Sequence, residues 1–181
     1  MHLEKKSKVM RYFVILGIVV FLGGCTTDSY QLLRTKNVSI KLESSKSVYI
    51  SIPRDGRYGQ INYQGSGANA SQIILMAFSK NSNSAETGRQ YQSFDNALTH
   101  AKENNYGYLV FPTILEWEDR ATEWSGIPDK ASIKIAIINT ESGKTMDSVI
   151  IKGKSGLATF GGDHPQDLLA KPVSAYVNGL Y

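Results

Sequence analysis

Apolar and polar residues alternate at Val38, Ile40 and Leu42, and again at Val48, Ile50 and Ile52 before Pro53. A period of two puts one side of an extended chain on a core, so both stretches predict half-buried strands, joined as a hairpin across residues 43–46. Asp55-Gly56 marks a turn, after which the period lengthens. Gly65-Ser66-Gly67 leads into Ala70, Ile73, Ile74, Ala77 and Phe78, the stripe of an amphipathic helix. Residues 81–89 are polar and predict a loop. Ser93 then stands where it can cap a second helix with Phe94, Ala97, Leu98 and Ala101 inward, ending at Asn104-Asn105.

Residues 108–115 are almost continuously apolar, as in a strand covered on both faces, although Pro112 lacks a ladder donor and predicts an edge or a bulge. Ile133, Ile135 and Ile137, the turn at 140–144 with Gly143, and Val149 with Ile151 predict a second hairpin. The last stretch offers Asp163 as helix N-cap with Gln166 three residues on, a variant capping box, and Pro165 in the first turn. Leu169, Val173, Tyr176, Val177 and Leu180 then form a helical stripe, which Pro172 is expected to kink or split. The order is strands, helix, an optional strand, helix, strand, hairpin, helix. It predicts an α/β (α+β) fold, a small mixed sheet with about three helices packed against it in a single domain. A chain of 181 residues supports one such core.

The first 24 residues follow a different pattern. Lys5, Lys6, Lys8 and Arg11 precede an apolar run at 12–22, too short for the roughly 20 residues that span a bilayer. The run ends in Leu22-Gly23-Gly24-Cys25, which resembles the bacterial lipobox. Residues 1–24 are therefore expected to be a lipoprotein signal peptide. The resemblance implies diacylglycerol on the Cys25 sulfur and an acyl chain, typically palmitate, on its amino group, an anchor of several chains. Thr26, not Asp, follows the cysteine, which resembles an outer-membrane sorting signal, with the domain facing the periplasm. Residues 25–36, polar and without sustained period, read as a tether, and 37–181 as the domain.

Charge narrows the partners. The net charge is +4, but the four leader cations against Glu4 carry three of those charges, leaving about +1 spread along the mature chain. That is no footprint for nucleic acid. A single cysteine forms no internal disulfide, and no histidine pair has metal-ligand spacing, so neither metal nor cofactor is expected. His100 lies among polar helix positions and is expected to face solvent.

Two stretches are dense enough in polar groups to carry chemistry. The first runs from Glu116 through Trp117, Glu118, Asp119 and Arg120 to Glu123, Trp124 and Asp129. Carboxylates beside indole rings suit sugar binding or acid/base hydrolysis; the alternative is a structured loop in which Arg120 bridges carboxylates and the tryptophans plug the core. The second joins Asp163 and His164 at a helix start, able to bind an anion or move protons, or simply to cap. Gly65-Ser66-Gly67 faintly matches a phosphate cradle but lacks the P-loop lysine, and no nucleophile elbow surrounds Ser66.

Trp117-Glu118-Asp119-Arg120-Ala121-Thr122-Glu123-Trp124-Ser125-Gly126 and Ala158-Thr159-Phe160-Gly161-Gly162-Asp163-His164-Pro165-Gln166-Asp167-Leu168-Leu169, with Pro53-x-Asp55-Gly56 and Gly65-Ser66-Gly67, resemble the bacterial lipoproteins grouped as domain of unknown function 4823. Where that family tends to carry a bulky aromatic after Gly153-Lys154-Ser155, this chain has Gly156-Leu157. The resemblance implies an envelope lipoprotein and assigns no catalytic residue. The expectation is a non-enzymatic module that binds an envelope protein or glycan, or a purely structural module of the envelope. The alternative is a glycan-directed periplasmic hydrolase using Glu116, Glu118 or Asp163 with His164.

Overall fold

A computed structural model describes residues 28–34, 40–119, 128–156 and 164–181. In chain order its elements are β1 (Ser29–Arg34), β2 (Val48–Ile52), β3 (Arg57–Tyr58), β4 (Ile61–Asn62), α1 (Ser66–Phe78), β5 (Ala85–Tyr91), α2 (Phe94–Glu103), β6 (Tyr108–Glu118), β7 (Lys130–Asn139), β8 (Thr145–Lys154) and α3 (Asp167–Asn178). Six strands form one mixed sheet in the order β1-β8-β7-β6-β2-β5, and β3-β4 form a small ribbon. β2 runs parallel to both neighbours, while β6, β7, β8 and β1 alternate antiparallel. The mixed sheet with three helices follows the sequence pattern.

The helices divide between the two faces. α1 and α3 cover one, where Ile74, Phe78, Leu169, Val173 and Tyr176 meet Val48, Ile50, Val110, Ile133, Ile135, Val149 and Ile151 in the main core. α2 covers part of the other, packing Ala97 and Ala101 on Tyr49, Leu109 and Ile138. The helical stripe on α3 is buried at every expected position, from Leu169 to Leu180. At α2 the Ser93 hydroxyl accepts from the Asn96 amide at 3.3 Å, as a cap should.

Several expectations need correction. Residues 40–43 form no strand and β2 lies between β6 and β5, so the first hairpin is not found among the described residues, and Val38 lies outside them. Leu42 instead donates to the Leu180 carbonyl at 2.7 Å, tying the loop to the end of α3. Val48, Tyr49 and Ile50 are buried on both faces, which marks a central strand rather than a hairpin arm. The polar segment expected to be a tether holds β1, and the polar loop at 81–89 holds the start of β5. Both are the sheet's edges. Main-chain hydrogen bonds hold them, so neither needs the alternation by which a strand is recognised.

Both prolines sit where a missing N–H does little harm. β2 pairs with β6 only as far as Ile50↔Val110, so Pro112 follows the last paired position on that flank, and a register shift comes at Ile114/Glu116. Pro112 is thus locally at an edge although its strand is central. Pro172 neither splits α3 nor ends it, since the helix continues to Asn178. Its ring removes the bond to the Leu168 carbonyl, and that carbonyl lies over Gly153 of β8, where a Cβ would be 2.9 Å from the oxygen. α3 also starts later than expected. Its first residue is Asp167, whose carboxylate accepts the His164 amide at 3.1 Å, and Pro165 and Gln166 form a turn ahead of the helix.

Candidate functional site

The end of β6 carries the first polar motif. Trp117 turns into the main core, 3% exposed, with its Cβ so close to Gly56 that a methyl there would approach within 2.5 Å. Its ring is therefore a plug under the Pro53-x-Asp55-Gly56 turn, not a surface for a ligand, which corrects its candidacy as a binding residue. Glu118 is also buried, with Lys130 Nζ 3.5 Å from Oε2, and the same ammonium stands 3.7 Å from Glu116 Oε1. Lys130 thus bridges the two carboxylates. Asp129 is 4% exposed; its amide donates to Ser155 Oγ at 2.8 Å and its carbonyl accepts from the Ser155 amide at 3.1 Å. That pair fastens the start of β7 to the end of β8, so neither Glu118 nor Asp129 is placed as a surface binding group. Arg120, Glu123, Trp124, Asp163 and Cys25 lie outside the described residues.

Asp119 is different. Its carboxylate Oδ2 lies 3.5 Å from His164 Nδ1, with the aspartate side chain one-third exposed and the imidazole more than half exposed. The Tyr63 hydroxyl donates to the Asp119 carbonyl at 3.4 Å, and the turn closed by Asp167 fixes the histidine's backbone. Two motifs more than forty residues apart in sequence therefore meet at one surface. A solvent-facing carboxylate and imidazole can hold a polar partner or exchange protons with it. The hydroxyl of Ser66 is already engaged: it accepts from the Gly56 amide at 2.8 Å, donates to the Tyr63 carbonyl at 2.7 Å, and is buried.

The glycine turn before α1 has its anion already. Asp55 Oδ2 accepts from the Gly65 amide at 3.2 Å and Oδ1 from the Gly67 amide at 2.8 Å, filling the place a phosphate would take. Gly65 adopts φ +85°, and a methyl on Gly67 would approach the Pro53 carbonyl within 2.4 Å. The cradle is an internal cap.

His100, expected to face solvent, is half-buried and packs against Tyr49 with ring centroids 4.6 Å apart. Tyr49, His100 and Tyr106 line a cleft of about 620 Å³ beside β5. None of these was a sequence candidate, because the cleft draws on β2, β5, α2 and the segment between α2 and β6, and no local pattern reports their meeting. Among the described residues no cluster of three or more metal-type ligands occurs, and no helix is long and apolar enough to cross a membrane.

A family model described as "Domain of unknown function (DUF4823)" matches residues 40–180. Among solved structures, the chain is similar to the PelC dodecamer from Paraburkholderia phytofirmans, at 11% identity and TM-score 0.64 over 84% of this chain and 97% of that one. It is also similar to the lipoprotein GNA1162 from Neisseria meningitidis, at 13% identity and TM-score 0.50 over 74% of this chain and 96% of that one. At these identities the likeness is one of fold. Comparison with curated proteins finds no match.

Proposed function

This chain belongs to the family described as domain of unknown function DUF4823, and from that premise we propose that it is a lipoprotein of the bacterial cell envelope whose domain binds a partner there without catalysing a reaction. The lipobox before Cys25 supports the anchor, and Thr26 supports the outer membrane facing the periplasm. The partner is an envelope protein or a glycan.

The observation that carries binding over hydrolysis is the fate of the carboxylates. Glu116 and Glu118 share one lysine, and Glu118 and Asp129 are built into the fold, whereas Asp119 and His164 remain at the surface. A glycosidase needs two carboxyls converging across a cleft at a set separation, and the pair here converges on an ammonium instead. An exposed polar pair that joins two motifs suits recognition.

The anchor is tested by labelling cells with palmitate: Cys25→Ser should lose all label, and label at the parent's level would overturn it. Thr26→Asp should move the protein toward the inner membrane in a host with enteric-type sorting. Binding is tested by crosslinking whole envelopes and recovering the protein with Asp119→Ala and His164→Ala together. The expected result is loss of a specific crosslinked band from a folded, normally localised protein. Release of reducing ends from purified cell-wall glycan by the parent would overturn the non-enzymatic reading.

A further inference from the structure

We propose that the cleft beside β5 is a saccharide-binding site, separate from the Asp119–His164 surface. The sheet edge itself opens it. Between the pairs Ile50↔Thr87 and Ile52↔Tyr91, β2 advances two residues while β5 advances four, so Gly88, Arg89 and Gln90 bulge away from their neighbour. Bulges at sheet edges commonly re-aim side chains next to sites. Gly88 lets the strand lie directly against the polar wall of the cleft: a Cβ there would come within 2.7 Å of the Tyr49 hydroxyl and 3.2 Å of Gln92 Oε1.

The lining selects the ligand class. The Tyr49 hydroxyl donates to Gln92 Oε1 at 2.6 Å and the Tyr106 hydroxyl to Glu86 Oε2 at 2.8 Å, so both phenols hold planar polar groups at the cleft wall. Arg89 adds a guanidinium. A carboxylate, an amide and a guanidinium each present two polar atoms side by side, the spacing that adjacent sugar hydroxyls match. The half-buried rings of His100 and Tyr106, 6.5 Å apart and backed by the buried ring of Tyr49, supply the apolar surface on which a pyranose face rests. Glu86 opposes a phosphate, and the polar wall opposes an acyl chain. The volume, about 620 Å³, falls in the range of small-ligand sites and accommodates one or two sugar rings. β5 and β1 are opposite edges of the sheet, about 24 Å apart at ~4.8 Å per strand.

The test uses the purified full-length protein in a detergent without a sugar headgroup, with N-acetylglucosamine tetramer and maltotetraose as probes and saturation-transfer NMR as readout. One of the two should bind, and Gln92→Ala and His100→Ala should each weaken it at least tenfold with the thermal midpoint kept near the parent's. Gly88→Leu should abolish binding by filling the cleft; if that variant does not fold, the other two decide. Asp119→Ala should leave saccharide binding unchanged. The proposal is overturned if the parent binds neither oligosaccharide, if Gln92→Ala and His100→Ala bind as the parent does, or if inorganic phosphate displaces the sugar.

Discussion

Asp55 offers a direct test of how this fold uses its glycine turn. The half-buried carboxylate accepts the amides of Gly65 and Gly67 at 3.2 and 2.8 Å, so it caps α1 from ten residues upstream, where the helix has no side-chain cap of its own. Hydrogen bonds to a charged group contribute ~1.5–3 kcal/mol when removed from water and less at the surface. The Gly67 bond, at a buried residue, is worth about 2 kcal/mol on that scale, and the exposed Gly65 bond roughly 0.5 kcal/mol. Asp55→Ala should therefore cost about 2–3 kcal/mol, a fall of roughly 5–10 °C in thermal midpoint for a domain of this size. Asp55→Asn keeps one acceptor oxygen and should cost about half as much. Calorimetry at neutral pH reads both. A second arm sharpens the test: once the aspartate is gone, the free amides at a helix N-terminus should take up sulfate, so sulfate should raise the midpoint of Asp55→Ala more than the parent's. A midpoint within about 1 °C of the parent, or identical losses for Ala and Asn, would refute the capping account.

Gly153→Ala should destabilise by about 1–3 kcal/mol, because its Cβ would stand 2.7 Å from Leu168 Cβ and close to the carbonyl that Pro172 leaves without a helical donor; an unchanged denaturant midpoint would show that α3 can slide away from β8. Leu169→Ala and Val173→Ala, at fully buried positions on α3, should cost roughly 2–4 and 1–3 kcal/mol, and parental midpoints would mean the stripe is not packed. Burial first, and then the hydrogen bond to Glu86, push the Tyr106 phenol up to about 12 from 10.0. A raised folded value means that this stabilisation is complete below pH 10 and is lost as pH climbs through 12. An absorbance titration should thus show a late-ionising phenol that Tyr106→Phe removes; ionisation of Tyr106 together with the exposed tyrosines would contradict it.

What could be read from the sequence was what packing forces into a periodic pattern. α1, α2, the β7-β8 hairpin and the stripe on α3 each bury one side, so their spacing reports them. β1 bury no side chain fully, and β5 none either, so no period marks them. Val48–Ile52 was legible as a strand but not as the central one, since its neighbours come from residues 85–91 and 108–118 through crossovers that leave no local trace. Of the candidate site, the meeting of Asp119 with His164 follows from the β7-β8 hairpin returning the chain. The inward turn of Trp117 was a choice between two sides of one strand, and the register shift at Ile114/Glu116 decides it where the motif begins. The role of Asp55 was hidden because its partners are main-chain amides, which any residue carries.

β1 also changes what the anchor can do. With Cys25 as the lipidated residue, the chain reaches Asp28 in three steps, at most about 10 Å of extended backbone, and then enters the sheet at Ser29, opposite Lys154. A tether running to residue 36 would have allowed roughly three to four times that distance. An anchor at Cys25 would through this short link hold the β1 edge against the bilayer, so that the domain would meet a partner at the membrane surface and not at a distance. Inserting twelve Gly/Ser residues between Thr27 and Asp28 separates these cases. A bulky amine-reactive reagent that stays outside the bilayer should modify Lys154 slowly in the membrane-held parent, faster in the insertion, and equally fast in both once the proteins are moved into detergent. Equal labelling of Lys154 in the membrane-held parent and insertion would show that the domain already stands clear of the lipid and that pairing of β1 with β8 does not govern its reach.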